Sequence, residues 1–143
     1  MATDRRAEVT WQGSLMEGSG TIDSTTTGAI GTQPVTWANR AEDAPSATSP
    51  EELIAAAHAA CFSMALAHGL AQAGNAPDEL KTSATVTFQP GQGITKIALT
   101  VEGSVPGIDA DAFREAAEGA KANCPVSKAL AGVPEITLEA TLR

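Results

Sequence analysis

Apolar and polar positions alternate in short runs from Glu8 to about Trp37, with Val9 and Trp11 in one run, Val35 and Trp37 in another, and Gly13, Gly18 and Gly20 between them. That pattern predicts a β meander. Ala38 to Thr48 is polar and turn-rich, with Asn39, Arg40, Glu42, Asp43, Pro45 and Ser46, and predicts a loop able to present side chains to a site. The periodicity then changes. Ser49-Pro50-Glu51-Glu52 places a capping Ser, a Pro at the first helical position and a Glu three residues after the cap, which predicts a helix start. The helix is expected to run to about Ala73, where Gly74-Asn75 and Pro77 stop it. It is apolar on nearly every side and is expected to be buried and central, with Ile54, Ala57, Cys61, Met64 and His68 on one stripe.

Strict alternation returns at Ala84, Val86 and Phe88 and again at Ile97, Leu99 and Val101, across a Pro90-Gly91-Gln92-Gly93 turn, predicting an antiparallel hairpin. Asp109 is a candidate cap for a second helix with Phe113, Ala116, Ala117 and Ala120 on its apolar face. That helix should end near Cys124, because Pro125 disfavours helical geometry in the residue before it, and a short turn can restart over 126–130. Ile136, Leu138, Ala140 and Leu142 predict a last strand. Strands, long helix, hairpin, helix and strand make an α+β protein.

Length and charge narrow the function. The 143 residues suit a single domain spanning 1–143. A net charge of −8 leaves no basic footprint for nucleic acid or for an anionic membrane surface. Five aromatic residues, two Trp and three Phe, are too few for a base-stacking platform. The stretch from Leu53 to Ala71 is about the length of a membrane span, but it holds His58, Ser63 and His68 and is mostly Ala, so a core helix is the expectation. The first ten residues carry charges of both signs and no secretory apolar core, which points to a cytoplasmic protein. No GxxxxGK[ST], GxGxxG or HExxH motif occurs.

The candidate chemistry lies in two cysteines. Cys61 and Cys124 are 63 residues apart with no CxxC pair, so reactive thiols, metal-bound thiols and inert burial all stand as readings of the residues. Cys61 sits mid-helix, where a small buried hydrophobe is the plain alternative. Cys124 can cap the short helix after Pro125, where unpaired N–H groups lower a thiol pKa. His58 and His68 could join both cysteines in a metal set, or simply pack with satisfied nitrogens. Arg40 on its own is a loop charge, and Glu51 a first-turn acid favoured by the helix dipole.

Two blocks carry a resemblance. Ser49-Pro-Glu-Glu-Leu-Ile-Ala-Ala-Ala-His-Ala-Ala-Cys-Phe-Ser-Met-Ala-Leu66 and Ala120-Lys-Ala-Asn-Cys-Pro-Val-Ser127 resemble the OsmC/Ohr proteins, thiol-dependent hydroperoxide reductases of bacteria. Ile94 to Leu99 and Val105 to Asp109 are also similar to the OsmC branch, as is Val126, where the Ohr branch usually has Tyr. The resemblance implies an OsmC-like fold of antiparallel sheets about a long central helix, in an intertwined homodimer with active sites at the subunit interface. It assigns Cys61 as the peroxidatic thiol, which becomes a sulfenic acid, and Cys124 as the resolving thiol, which closes a Cys61–Cys124 disulfide. Arg40, oriented by Glu51, would be the cation that keeps the Cys61 thiolate. No cofactor is implied beyond an external dithiol or lipoylated-protein reductant. Organic hydroperoxides are the expected substrates, since Ile54, Ala57, Ala60 and Met64, with Phe62 nearby, would give the thiol apolar walls. The alternative from another class is a non-catalytic member that binds an apolar ligand or a partner, with thiols used only for packing.

Overall fold

The computed structural model describes residues 1–42 and 45–143, and the chain divides into two compact units, Met1–Pro50 and Glu51–Arg143. Asp43, which the sequence places in the polar loop, lies outside the described residues.

The first unit is an antiparallel sheet of β1 (Ala7–Gln12), β2 (Ser19–Thr25) and β3 (Gln33–Val35) in that order. The expected meander is present, with β2 in the middle. Trp11 lies opposite Gly20, where an added Cβ would stand 2.6 Å from the Trp11 ring and 2.9 Å from Val35, so any side chain there has to push the indole aside. The polar stretch after β3 differs from the expectation. Trp37 does not continue a strand but begins a short helix α1 (Trp37–Ala41), capped by Thr36, whose hydroxyl accepts from the Asn39 N–H at 3.2 Å. A Thr with extended backbone and a free N–H three residues on is a helix start, and that local bond overrides the period-two pattern.

The second unit takes in α2 (Pro50–Gln72) from Glu51 on. It stops where the sequence requires. Gly74 takes φ +88°, its N–H bonds to Ala71 at 3.0 Å, and the Asn75 N–H reaches back to the Leu70 carbonyl at 2.8 Å, a Schellman closure. The predicted burial on all sides does not hold within one chain. The buried face is Glu51, His58, Phe62, Leu66 and Leu70, whereas Ala57, Ala60, Met64 and His68 of the expected apolar surface are exposed, Met64 by 71%. The large side chains select the face, because alanines offer little area to reward burial.

The hairpin appears as β4 (Glu79–Gln89) and β5 (Gly93–Ser104), antiparallel, with Gly91 and Gly93 at positive φ in the turn. The second helix, α3 (Ala110–Asn123), is capped by Asp109, which accepts from the Ala112 N–H at 2.8 Å, and a short α4 (Pro125–Ala129) follows. The last strand, β6 (Glu135–Leu142), lies beside β5 and runs parallel to it, so this sheet is mixed rather than antiparallel. The thirty-odd residues that carry α3 and α4 are long enough to return the chain to the start of β5, the condition for a parallel pairing. Ile97, Leu99 and Val101 of β5 join Phe62, Leu66, Leu70, Phe113 and Ala117 in one core.

Candidate functional site

That core fixes where the thiols stand. Phe62 is locked into it with no exposed surface, so its helical neighbour Cys61 is turned to the edge of the helix's packed face, where it remains partly exposed. Phe62 is thus core, not a wall beside the thiol as expected. Cys124 joins α3 to α4. Its N–H closes α3 on the Ala120 carbonyl at 2.8 Å, its own carbonyl accepts from the Lys128 N–H at 3.1 Å, and its φ/ψ of −55°/125° is the extended geometry that Pro125 imposes. It has no exposed surface.

Both thiols are free, and they meet. Burial pushes the Cys61 thiol up, and its hydrogen bond with Cys124 pushes it further, against a smaller pull from the Val126 N–H. Cys124 moves the other way. Burial is the strongest single influence on it and opposes ionisation, but the Cys61 thiol, the N–H groups of Ser127 and Val126 and the Ser127 hydroxyl together outweigh burial. Cys124 does not form a formal side-chain cap on α4, yet those N–H groups face its sulfur closely enough to favour the thiolate. The two neighbouring thiols are thus pushed apart, Cys61 up and Cys124 down, so that of the two Cys124 is the sulfur whose thiolate is favoured.

Arg40 stands in the last turn of α1, half-buried, in the first unit. Glu51 is buried in the first turn of α2. Ten residues of helix separate Glu51 from Cys61, about 15 Å along the axis, so these two side chains of one chain do not meet. Of the four residues singled out from the sequence, the structure brings Cys61 and Cys124 together and leaves Glu51 apart from them.

His58 and His68 do not gather with the thiols into a metal set. His58 Nε2 lies 2.7 Å from Ser127 Oγ, His68 is exposed, and no group of three or more His, Cys, Asp or Glu among the described residues is arranged to hold a metal. Ser127 escaped the sequence reading. Its signal was its place three residues after a capping Cys, the position from which an N–H returns to the cap. A groove of about 490 Å³, lined mainly by Ala65, Gly69, Ala116, Gly119 and Pro125, runs past the same α3–α4 junction.

Residues 42–139 match the sequence profile of a family described as OsmC-like protein. The chain belongs to the OsmC family. It is 44% identical to the peroxiredoxin OsmC of Escherichia coli over 146 aligned residues, covering 100% of this chain and 99% of that protein. It is 34% identical to the organic hydroperoxide resistance protein OhrA of Bacillus subtilis, over 70% of this chain and 72% of the other. The crystal structure of OhrB from Bacillus subtilis superposes with a TM-score of 0.60 at 25% identity, covering 96% of this chain and 98% of that one. The profile match takes in Glu51, Cys61 and Cys124, while Arg40 lies just ahead of it.

Proposed function

We propose that this OsmC protein is a cytoplasmic thiol peroxidase that reduces organic hydroperoxides, and hydrogen peroxide less well, to alcohols. The observation that carries the reading is the contact between two thiols 63 residues apart, one accessible and one buried. Access assigns the order. Cys61 passes its proton to the Cys124 thiolate and attacks the outer peroxide oxygen; the O–O bond breaks, Cys61 becomes a sulfenic acid, and the departing alkoxide takes a proton from water. The Cys124 sulfur then displaces the sulfenic oxygen, which leaves as water with the proton that Cys124 had received, and the Cys61–Cys124 disulfide closes. A dithiol or a lipoylated protein reopens it.

Arg40, oriented by Glu51, is the cation that draws the Cys61 charge back onto the attacking sulfur. Since Glu51 lies about 15 Å along α2 from its own Cys61, the Arg40–Glu51 pair that serves one thiol comes from a second copy in a homodimer. Mixed dimers test this. A Cys61→Ser subunit paired with an Arg40→Ala subunit regains activity if the site is shared between chains and stays inactive if each chain is self-sufficient. Ala57, Ala60 and Met64, exposed around Cys61, favour a substrate with an alkyl or aryl group. Burying roughly 100 Å² of it is worth about 2.5 kcal/mol, more than tenfold in kcat/KM. Steady-state comparison of cumene, tert-butyl and hydrogen peroxides with one dithiol is expected to rank both organic substrates first; a clear preference for hydrogen peroxide removes the apolar argument.

A further inference from the structure

Beside the two thiols lies a buried pair that the peroxide chemistry above does not use. His58 stands one turn before Cys61 on α2 with no exposed surface, and its Nε2 is 2.7 Å from the hydroxyl of Ser127, itself buried. Ser127 is the third residue of α4 after Cys124, and both its N–H and its hydroxyl act on the Cys124 sulfur. The other imidazole nitrogen, Nδ1, is buried and has no hydrogen-bond partner among the described residues.

That orphaned nitrogen fixes the direction of the chain. Burial holds the imidazole neutral, so one ring nitrogen carries a proton and the other a lone pair. A buried N–H without an acceptor is rarer than a buried acceptor without a donor, so the proton belongs on Nε2. Nε2–H then donates to Ser127 Oγ, and the hydroxyl keeps its own proton for Cys124. Cys61 of α2 is the titratable group that faces Cys124 directly, and His58 of the same helix reaches it through Ser127. On the flanking helices, Lys121 of α3 is paired with Glu118 at 3.6 Å and Lys128 of α4 is exposed.

We infer that His58 and Ser127 form a directional relay that holds charge on the Cys124 sulfur, so that Cys124 is the leaving thiolate when a dithiol reopens the Cys61–Cys124 disulfide. The inference rests on the peroxidase cycle proposed above. One thiolate of the dithiol bonds to Cys61, the accessible sulfur; the S–S bond breaks and its electron pair goes to Cys124. The second thiol, once deprotonated, attacks the mixed disulfide, closes the reductant's own disulfide and releases Cys61 as a thiolate that takes up that proton. The lower the basicity of the leaving sulfur, the faster it leaves. Ser127 touches a reacting atom and is catalytic in that step; His58 acts through it and is a positioning residue.

The test uses the full-length protein, its reduced form titrated by ultraviolet thiolate absorbance and its peroxide-oxidised form reopened by dithiothreitol. Ser127→Ala is expected to raise the first thiol midpoint by about one pH unit and slow reopening about threefold, while oxidation by one equivalent of cumene hydroperoxide still closes the disulfide. Ser127→Thr keeps the hydroxyl and is expected to keep both values. His58→Leu should give a smaller shift in the same direction, and His58→Gln, with an amide N–H near the position of Nε2, should restore it. The His58 pair decides the matter where the threonine methyl does not fit. An unchanged midpoint and reopening rate in both Ser127→Ala and His58→Leu overturns the relay. A wild-type protein that forms no disulfide with peroxide overturns the cycle instead, and the titration still reads the charge on Cys124.

Discussion

The sheet of β1, β2 and β3 buries Gly20 and Ile22 and exposes every residue of β1, whereas β5 alone, in the other sheet, buries Ile97, Leu99, Val101 and Gly103. Each sheet contains one glycine under an aromatic ring. Over Gly20 the ring is Trp11 of the neighbouring strand, 40% exposed; over Gly103 it is Phe113 of α3, with no exposed surface. A ring supplied by the same sheet makes no second layer, and a ring supplied by a helix does. Only the second unit therefore has a core that can hold a helix junction such as Cys124 in register with Cys61.

The largest separation between the two units is expected from truncating a core ring. Phe62→Ala should cost about 3–5 kcal/mol, read from urea unfolding, and should loosen the thiol contact with it. Trp11→Ala, at a partly exposed site, should cost far less. Equal losses would mean that the two sheets are equally packed.

Overpacking comes next. At Gly103 a Cβ would stand 2.5 Å from the Phe113 ring, which is enclosed, so Gly103→Ala should cost about 1–3 kcal/mol. Gly20→Ala meets Trp11 at a similar distance, but that ring has solvent to move into, and its cost should be smaller.

The caps give a finer contrast. Asp109→Ala should remove about 1 kcal/mol from the second unit. Thr36→Ala should fray α1, which contains no buried residue, and register in local amide exchange without moving the global transition. The smallest effect is in pH. His58 is buried neutral with its pKa lowered, so its share of stability is complete above the unfolded value of about 6.5 and declines as pH falls below it, with a slope of at most one proton. His58→Gln should flatten the slope between pH 6.5 and 5 in thermal melts.

Much of this was legible along the chain. The helix start at Pro50, the Gly74-Asn75 stop, the hairpin turn and the Asp109 cap are set by local sequence devices, and local rules find them. The direction of β6 was not, because alternation reports which face a residue takes and is silent on whether the neighbouring strand runs with it or against it. The buried face of α2 was also missed. In a helix of alanines the period is nearly flat, and the face was chosen by Phe62, Leu66 and Leu70 meeting β5 across some thirty residues of sequence. The two cysteines and their pairing were visible through the family blocks, but the contact of His58 with Ser127 beside them depends on the α3–α4 junction that Pro125 sets.

Peptide mapping after a single equivalent of cumene hydroperoxide tests most directly whether Cys61 and Cys124 act as one redox pair. Reduced protein should lose both thiols and yield a Cys61–Cys124 linked peptide, while Cys124→Ser should accumulate sulfenic and then higher acids on Cys61. Two thiols still free after the peroxide is added, or a Cys124→Ser variant that cycles with dithiol at the wild-type rate, would contradict it.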